Sequence, residues 1–178
     1  MYNVLMILQR LDMVHLLKAL DKRLSSPERI ILCGGGALNL AYGSNRTTID
    51  IDVIAPVPLS AQIKKAALEV ARELGAPEDW FNDECKGFAD YLPHDWEQRL
   101  VLLPLDLKRI EVFSLGKADL LTLKLVAGRE RDLQDIEHLG IFQEDVGIIL
   151  SSLDKIGRFD AKSALKIRLY LEELGYDV

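Results

Sequence analysis

Cysteine is nearly missing from this chain: Cys33 and Cys85 are the only two among 178 residues. That count excludes a disulfide framework. Histidine is also scarce, with three residues, and His94, His138 and Cys33 stand at no metal-ligand spacing. No apolar run reaches the roughly 20 residues of a membrane-spanning helix. The apolar N-terminus, Val4 to Leu8, has no basic leader and no small-residue cleavage site. Arg10 and Asp12 interrupt it, so it reads as a docking segment rather than a signal peptide. An excess of positive charge is missing as well. Lys and Arg number 22 against 28 Asp and Glu, a net charge of −6. This argues against wholesale binding of nucleic acid or anionic membrane, but not against a local basic patch. A cytoplasmic protein is expected.

Apolar residues make up 49% of the chain, enough for a core without staples. Helical spacing of Leu11, Val14, Leu17, Leu20 and Leu24 predicts a helix over 9–24. Arg29 to Cys33 reads as a buried strand that runs into Gly34-Gly35-Gly36. A short helix over 37–42 follows, ended by Gly43. A polar loop, 44–48, leads to a strand over 49–54 with strict alternation. Ser60 caps a helix running to Leu74, which Gly75 ends. Residues 76–97 are aromatic and mixed, a short helix and loop forming a lid or part of the core, or else a protein interface. Strands are expected over 100–103 and 107–113, then helices over 117–128, 131–140, 142–156 and 160–174.

The sharpest feature is Asp50-Ile51-Asp52 inside that apolar strand. Period-two alternation points both carboxylates one way and Ile49, Ile51 and Val53 into a core. Such a pair sits roughly 7 Å apart. Like charges this close are costly, and Asp is a poor strand former. A hard divalent cation removes the cost, and Mg²⁺ favours one or two carboxylates plus substrate phosphates. The bland alternative is two solubilising residues on a sheet edge. The preceding glycines weigh against it, because a glycine turn opening a helix offers backbone N–H groups to a phosphate. Two familiar glycine motifs do not fit. No Gly-Lys-Ser/Thr is present for a Walker A loop, and Asn39 stands where a dinucleotide fingerprint needs glycine.

Together these residues resemble the DNA polymerase β-type nucleotidyltransferase superfamily. Its pattern is a strand, a Gly-Gly or Gly-Ser turn opening a helix, then a strand with Asp-x-Asp. Here it runs from Ile30 to Leu38 and from Arg46 to Val53. The form Gly-Gly-x-Ala-Leu with Arg-x-Thr-x-Asp-Ile-Asp resembles the minimal bacterial and archaeal AbiEii-like branch. A second stretch, Asp119 to Ile136, is similar to that group's helical signature of Asp-Leu, Lys, Ala, Arg and Asp-x-x-Asp. The likeness spans about residues 28–140.

The resemblance implies an α+β (mixed α/β) fold: a mixed sheet with helices on one side, as a core over 1–116, and a helical subdomain over 117–178 packed on it. It implies transfer of a nucleoside monophosphate from an NTP to a hydroxyl on RNA, protein or a small molecule, and it is compatible with a toxin that has an antitoxin partner. Asp50 and Asp52 would be catalytic and hold Mg²⁺ or Mn²⁺. Gly35, Gly36, Arg46, Lys124 and Asp135 would bind nucleotide. Glu111, or Asp106 just before it, is the candidate third acid. Arg46, Lys124, Arg129 and Arg131 would supply a basic patch for an RNA end. Asp132 is expected on a solvated helix face. Competing expectations are a degenerate module that binds nucleotide or protein without transfer, and a metal-dependent phosphohydrolase.

Overall fold

The computed structural model describes residues 7–178. Most of the expected docking segment, Val4 to Met6, lies outside the described residues. The chain divides into two compact units. The first holds the residues up to Lys86 together with Leu100–Ser114, and the second holds Gly87–Arg99 and Leu115–Val178. The second unit resumes at Leu115, and Gly87–Arg99 groups with it rather than with the sheet.

The first unit carries the whole sheet. Its strands are β1 (Glu28–Leu32), β2 (Ile51–Ala55), β3 (Phe81–Asn82), β4 (Val101–Leu102) and β5 (Ile110–Ser114), in the order β3-β2-β1-β5-β4. The sheet is mixed: β1 pairs parallel to β5 and antiparallel to β2, with a register shift between Ile31 and Leu32. Ile30, Leu32, Val53, Ile110 and Val112 are all buried. The helices are α1 (Arg10–Arg23), α2 (Gly34–Tyr42) and α3 (Ala61–Leu74). Helix α1 packs on α2 and α3, and α2 packs on β2 and β5.

Local chemistry explains most boundaries. Ser60 Oγ accepts the Ile63 N–H at 3.3 Å, and Gly75 closes α3 in the left-handed region, as expected. Gly43, at φ 68°, ends α2 in the same way. Helix α1 forms where expected, but its buried stripe is Met13, Leu16, Leu17, Leu20 and Leu24, while Leu11 is 81% exposed. Strand β5 starts at Ile110 rather than 107. The buried Asp21 carboxylate accepts the N–H groups of Lys108, Arg109 and Ile110, so this backbone wraps an anion before it pairs. The two-residue β3 was not legible in the aromatic stretch. Within that stretch Trp80 is fully buried, and its indole N–H donates to Ala67 O at 3.0 Å.

The second unit holds α4 (Lys117–Ala127), α5 (Glu130–Leu139), α6 (Gln143–Phe159) and α7 (Ala161–Glu173). Gly87–Arg99 forms two short 3₁₀ turns, Phe88–Tyr91 and Trp96–Arg99. Polar contacts tie it to these helices. Arg99 grips the buried Asp119 carboxylate with two hydrogen bonds of 2.9 Å, and Lys155 Nζ donates to Leu92 O at 2.7 Å. No described helix is long and apolar enough to cross a membrane.

Candidate functional site

The site is built where β1 turns into α2 beside the start of β2. Helix α2 begins at Gly34, three residues before the expected Ala37. Its first intrahelical bond runs from Ala37 N–H to Cys33 O, and Cys33 provides no side-chain cap. The N–H groups of Gly34, Gly35 and Gly36 therefore stand at an uncapped helix N-terminus. That end carries the positive pole of the helix.

Gly34 and Gly35 are held to glycine by what lies against them. Gly34 has φ 64°, and a β-carbon there would sit 2.5 Å from Asp52 Oδ2. A β-carbon at Gly35 would sit 3.0 Å from Thr48 Oγ1, whereas one at Gly36 would meet Ile51 Cγ2 at an ordinary contact distance of 3.5 Å. Thr48 Oγ1 in turn donates to Asp50 Oδ1 at 3.2 Å. Asp52 O accepts the Cys33 N–H at 3.0 Å, which locks the two strand ends together. Both carboxylates thus belong to one glycine-lined corner, Asp52 directly and Asp50 through Thr48. The sequence pattern included Gly34 in the glycine turn and Thr48 in the Arg-x-Thr-x-Asp-Ile-Asp form, but it gave neither residue a role of its own. Gly34 directly precedes the two glycines singled out, and Thr48 stands two residues before Asp50.

The strand carrying the pair is shorter than expected. It starts at Ile51, so Asp50 precedes it, and Ile49 is 49% exposed instead of buried. The cause is an antiparallel bridge between Leu8 and Thr48 that ends just before a bend at Ile49. The alternation argument holds for Ile51, Asp52 and Val53 and not for Asp50.

Arg46 lies half-buried in the loop between α2 and β2. Its carbonyl accepts the Asn39 Nδ2 at 2.9 Å, and its N–H donates to Ser44 Oγ at 3.3 Å. The loop is anchored through its backbone.

Glu111 is exposed on β5, with Ile110 and Val112 buried on the other face, as the alternation predicted. Register separates it from the pair. Glu111 stands opposite Arg29 and Ser114 opposite Leu32, while Asp52 is level with Cys33, one step further on. Glu111 is therefore about four residues, roughly 13 Å, down the sheet. Asp106 is further still, in the loop before β5. On the same face, closer to the pair, is Phe113, with the Arg29 guanidinium 4.7 Å over its ring. The structure does not bring a β5 carboxylate to Asp50 and Asp52.

Lys124 and Asp135 lie in the second unit, in a buried ionic cluster. Lys124 Nζ is 2.8 Å from Asp132 Oδ1 and 2.7 Å from Asp135 Oδ2. Arg129 Nε reaches Asp132 Oδ2 at 2.7 Å. Asp132 is fully buried, which corrects its expected place on a solvated face. Burial pushes its carboxyl up, but the hydrogen bonds from Arg129 and Lys124 outweigh that and hold it below the ordinary carboxylate range. Of the expected basic patch, Lys124 and Arg129 are thus committed to carboxylates.

The donors at the glycine corner are all oxygen: two carboxylates and one threonine hydroxyl. Among the described residues no group of three or more His, Cys, Asp or Glu forms a cage for a metal. The donor set suits a hard cation that takes two carboxylates from protein and the rest from phosphate and water, as Mg²⁺ or Mn²⁺ does.

Comparison with known proteins agrees with this geometry at the family level. No curated protein and no solved structure matches the chain. A family model described as "Nucleotidyltransferase of unknown function (DUF6036)" matches residues 8–164. The match takes in the glycine turn, both carboxylates and the ionic cluster, and it covers well over half of the sequence: the chain belongs to this nucleotidyltransferase family.

Proposed function

We propose that the protein transfers a nucleoside monophosphate from an NTP to a hydroxyl acceptor, with Mg²⁺ held by Asp50 and Asp52. The observation that carries this reading is the contact between the glycine turn and the carboxylates, with Asp52 Oδ2 filling the space beside Gly34. Phosphate-binding amides and cation-binding carboxylates then share one corner. The bound cation would neutralise phosphate charge and lower the acceptor hydroxyl's pKa. Gly35 and Gly36 N–H groups would hold the triphosphate at the positive end of α2. Thr48 holds the Asp50 carboxylate in place, and Arg46 would contact a phosphate from the anchored loop. The acceptor oxygen bonds to the α-phosphorus, the bond to the β-phosphate bridge breaks, and pyrophosphate leaves with the electron pair. With Glu111 remote, the hydroxyl proton passes to solvent. The Lys124–Asp132–Asp135 cluster is assigned to holding α4 and α5 together.

Thermal unfolding with each of four NTPs, with and without Mg²⁺, tests the binding step. A ligand at 100 times its Kd stabilises by about 2.7 kcal/mol. Wild type should rise by several degrees only with Mg²⁺ present, and Asp50→Asn/Asp52→Asn should not respond. Release of labelled pyrophosphate in the presence of total RNA or protein then tests transfer. A response to no nucleotide overturns the reading. One observation favours a second reading, a binding module without transfer: register brings no β5 carboxylate to the pair, and Phe113 stands opposite Ile31, two residues short of its level. Mg²⁺-dependent NTP binding without pyrophosphate release with any acceptor would select it. Phosphate release with no acceptor would select the hydrolase.

A further inference from the structure

The second unit contains a cavity of about 530 Å³ that the proposed transfer does not use. Its size is that of a small-molecule site. It is lined by Asp90, His94, Trp96, Lys155, Arg158 and Phe159. In a chain of net charge −6, three nitrogen bases and two aromatic rings at one cavity are a local exception. The Phe159 ring is supported from behind. Phe88 meets Tyr91 edge-on at 5.9 Å, and Tyr91 meets Phe159 edge-on at 5.7 Å. Phe159 nevertheless remains 65% exposed. Burial of an aromatic ring is favourable, so a supported ring left open at a cavity mouth is a platform for another planar group. Trp96 lines the same cavity half-buried. Arg158 is exposed and makes no ion pair with any described residue, whereas Lys155 is tied to Leu92 O at 2.7 Å. The one lining carboxylate, Asp90, disfavours a bare anion without a stacking partner.

We propose that this cavity is a subsite for a nucleotide unit, its base stacked on Phe159 or Trp96 and its phosphate on Arg158 and His94. Stacking with cationic backbone contact is the chemistry by which proteins hold single-stranded nucleic acid, and a free mononucleotide offers the same two groups. The subsite shares no residue with the glycine corner, so it stands even if Asp50 and Asp52 prove inert.

The test uses the full chain in EDTA, with AMP, UMP and the pentamers of A and U as probes. Trp96 is half-buried at the cavity and Trp80 is fully buried elsewhere, so stacking should quench the Trp96 part of the fluorescence. Expected is saturable quenching that persists in Asp50→Asn/Asp52→Asn, is absent in Trp96→Phe, and weakens about tenfold or more in both Phe159→Ala and Arg158→Glu. Both of these positions are exposed, and matching unfolding temperatures would show that the variants fold. Tighter pentamer binding that falls steeply with salt assigns the subsite to a strand, and equal binding of AMP assigns it to a free nucleotide. Two results overturn the proposal: no probe binds, or binding survives both variants and disappears with the two aspartates.

Discussion

Asp52 and Gly34 exclude any side chain between them: a β-carbon at Gly34 would lie 2.5 Å from Asp52 Oδ2. The carboxylate is placed by β2, the glycine by its φ of 64°. Gly34→Ala therefore meets both a clash and backbone strain, worth about 1–3 kcal/mol. Unfolding temperature should drop by several degrees, and the response to Mg²⁺ with NTP should weaken because Asp52 must move. Gly36→Ala meets only ordinary contact at 3.5 Å and should keep both. Equal losses in the two variants would sink the argument.

Lys124 offers a sharper choice. In Lys124→Met the buried carboxylates of Asp132 and Asp135 lose their shared cation. Breaking a buried pair costs about 3–5 kcal/mol, so the unfolding temperature should fall by roughly 10 °C. A structural clip predicts that loss. A phosphate ligand predicts the reverse, an unchanged melt and a lost nucleotide response.

Acid stability should carry the mark of Asp132. Its carboxyl is held below the ordinary range, so its stabilising contribution is present above the unfolded-state value, about 3.9. It is lost as the pH falls through the lower folded-state value. Melting curves taken from about pH 6 downward should steepen below about pH 4 in wild type. Asp132→Asn should begin less stable and show a shallower acid slope. Parallel curves for the two proteins would count against the ion pairs.

Asp21 is a separate case, remote in sequence from the backbone it holds. Asp21→Ala leaves the N–H groups of Lys108, Arg109 and Ile110 without their carboxylate. The cost should be about 3 kcal/mol, partly offset by water at the two exposed residues. Amide exchange should accelerate at Ile110 and spread into β5. Unchanged protection there would show that β5 needs no such anchor.

Much of this fold was written locally. Ser60, Gly43 and Gly75 mark helix ends by chemistry that acts within one turn, and the structure uses all three as expected. Elements failed to read where distant partners set their limits. β5 waits for Asp21, β2 is shortened by the bridge between Leu8 and Thr48, and β3 is two residues held by pairing Ile51 with Phe81. The buried stripe of α1 differs from the expected one because Leu11 and Met13 are equally apolar in sequence.

By itself the sequence determined the glycine turn, the neighbouring acidic pair and the order of elements that carries them, because helix caps, alternation and glycine act between near neighbours. Tertiary structure alone decided which charges meet. It set Glu111 some four residues along β5 from the pair, and it closed Lys124 onto Asp132 and Asp135. It also gathered Trp96, Arg158 and Phe159, distant in the chain, at one cavity. Register and helix packing fix such distances, and neither is a property of any local stretch of residues.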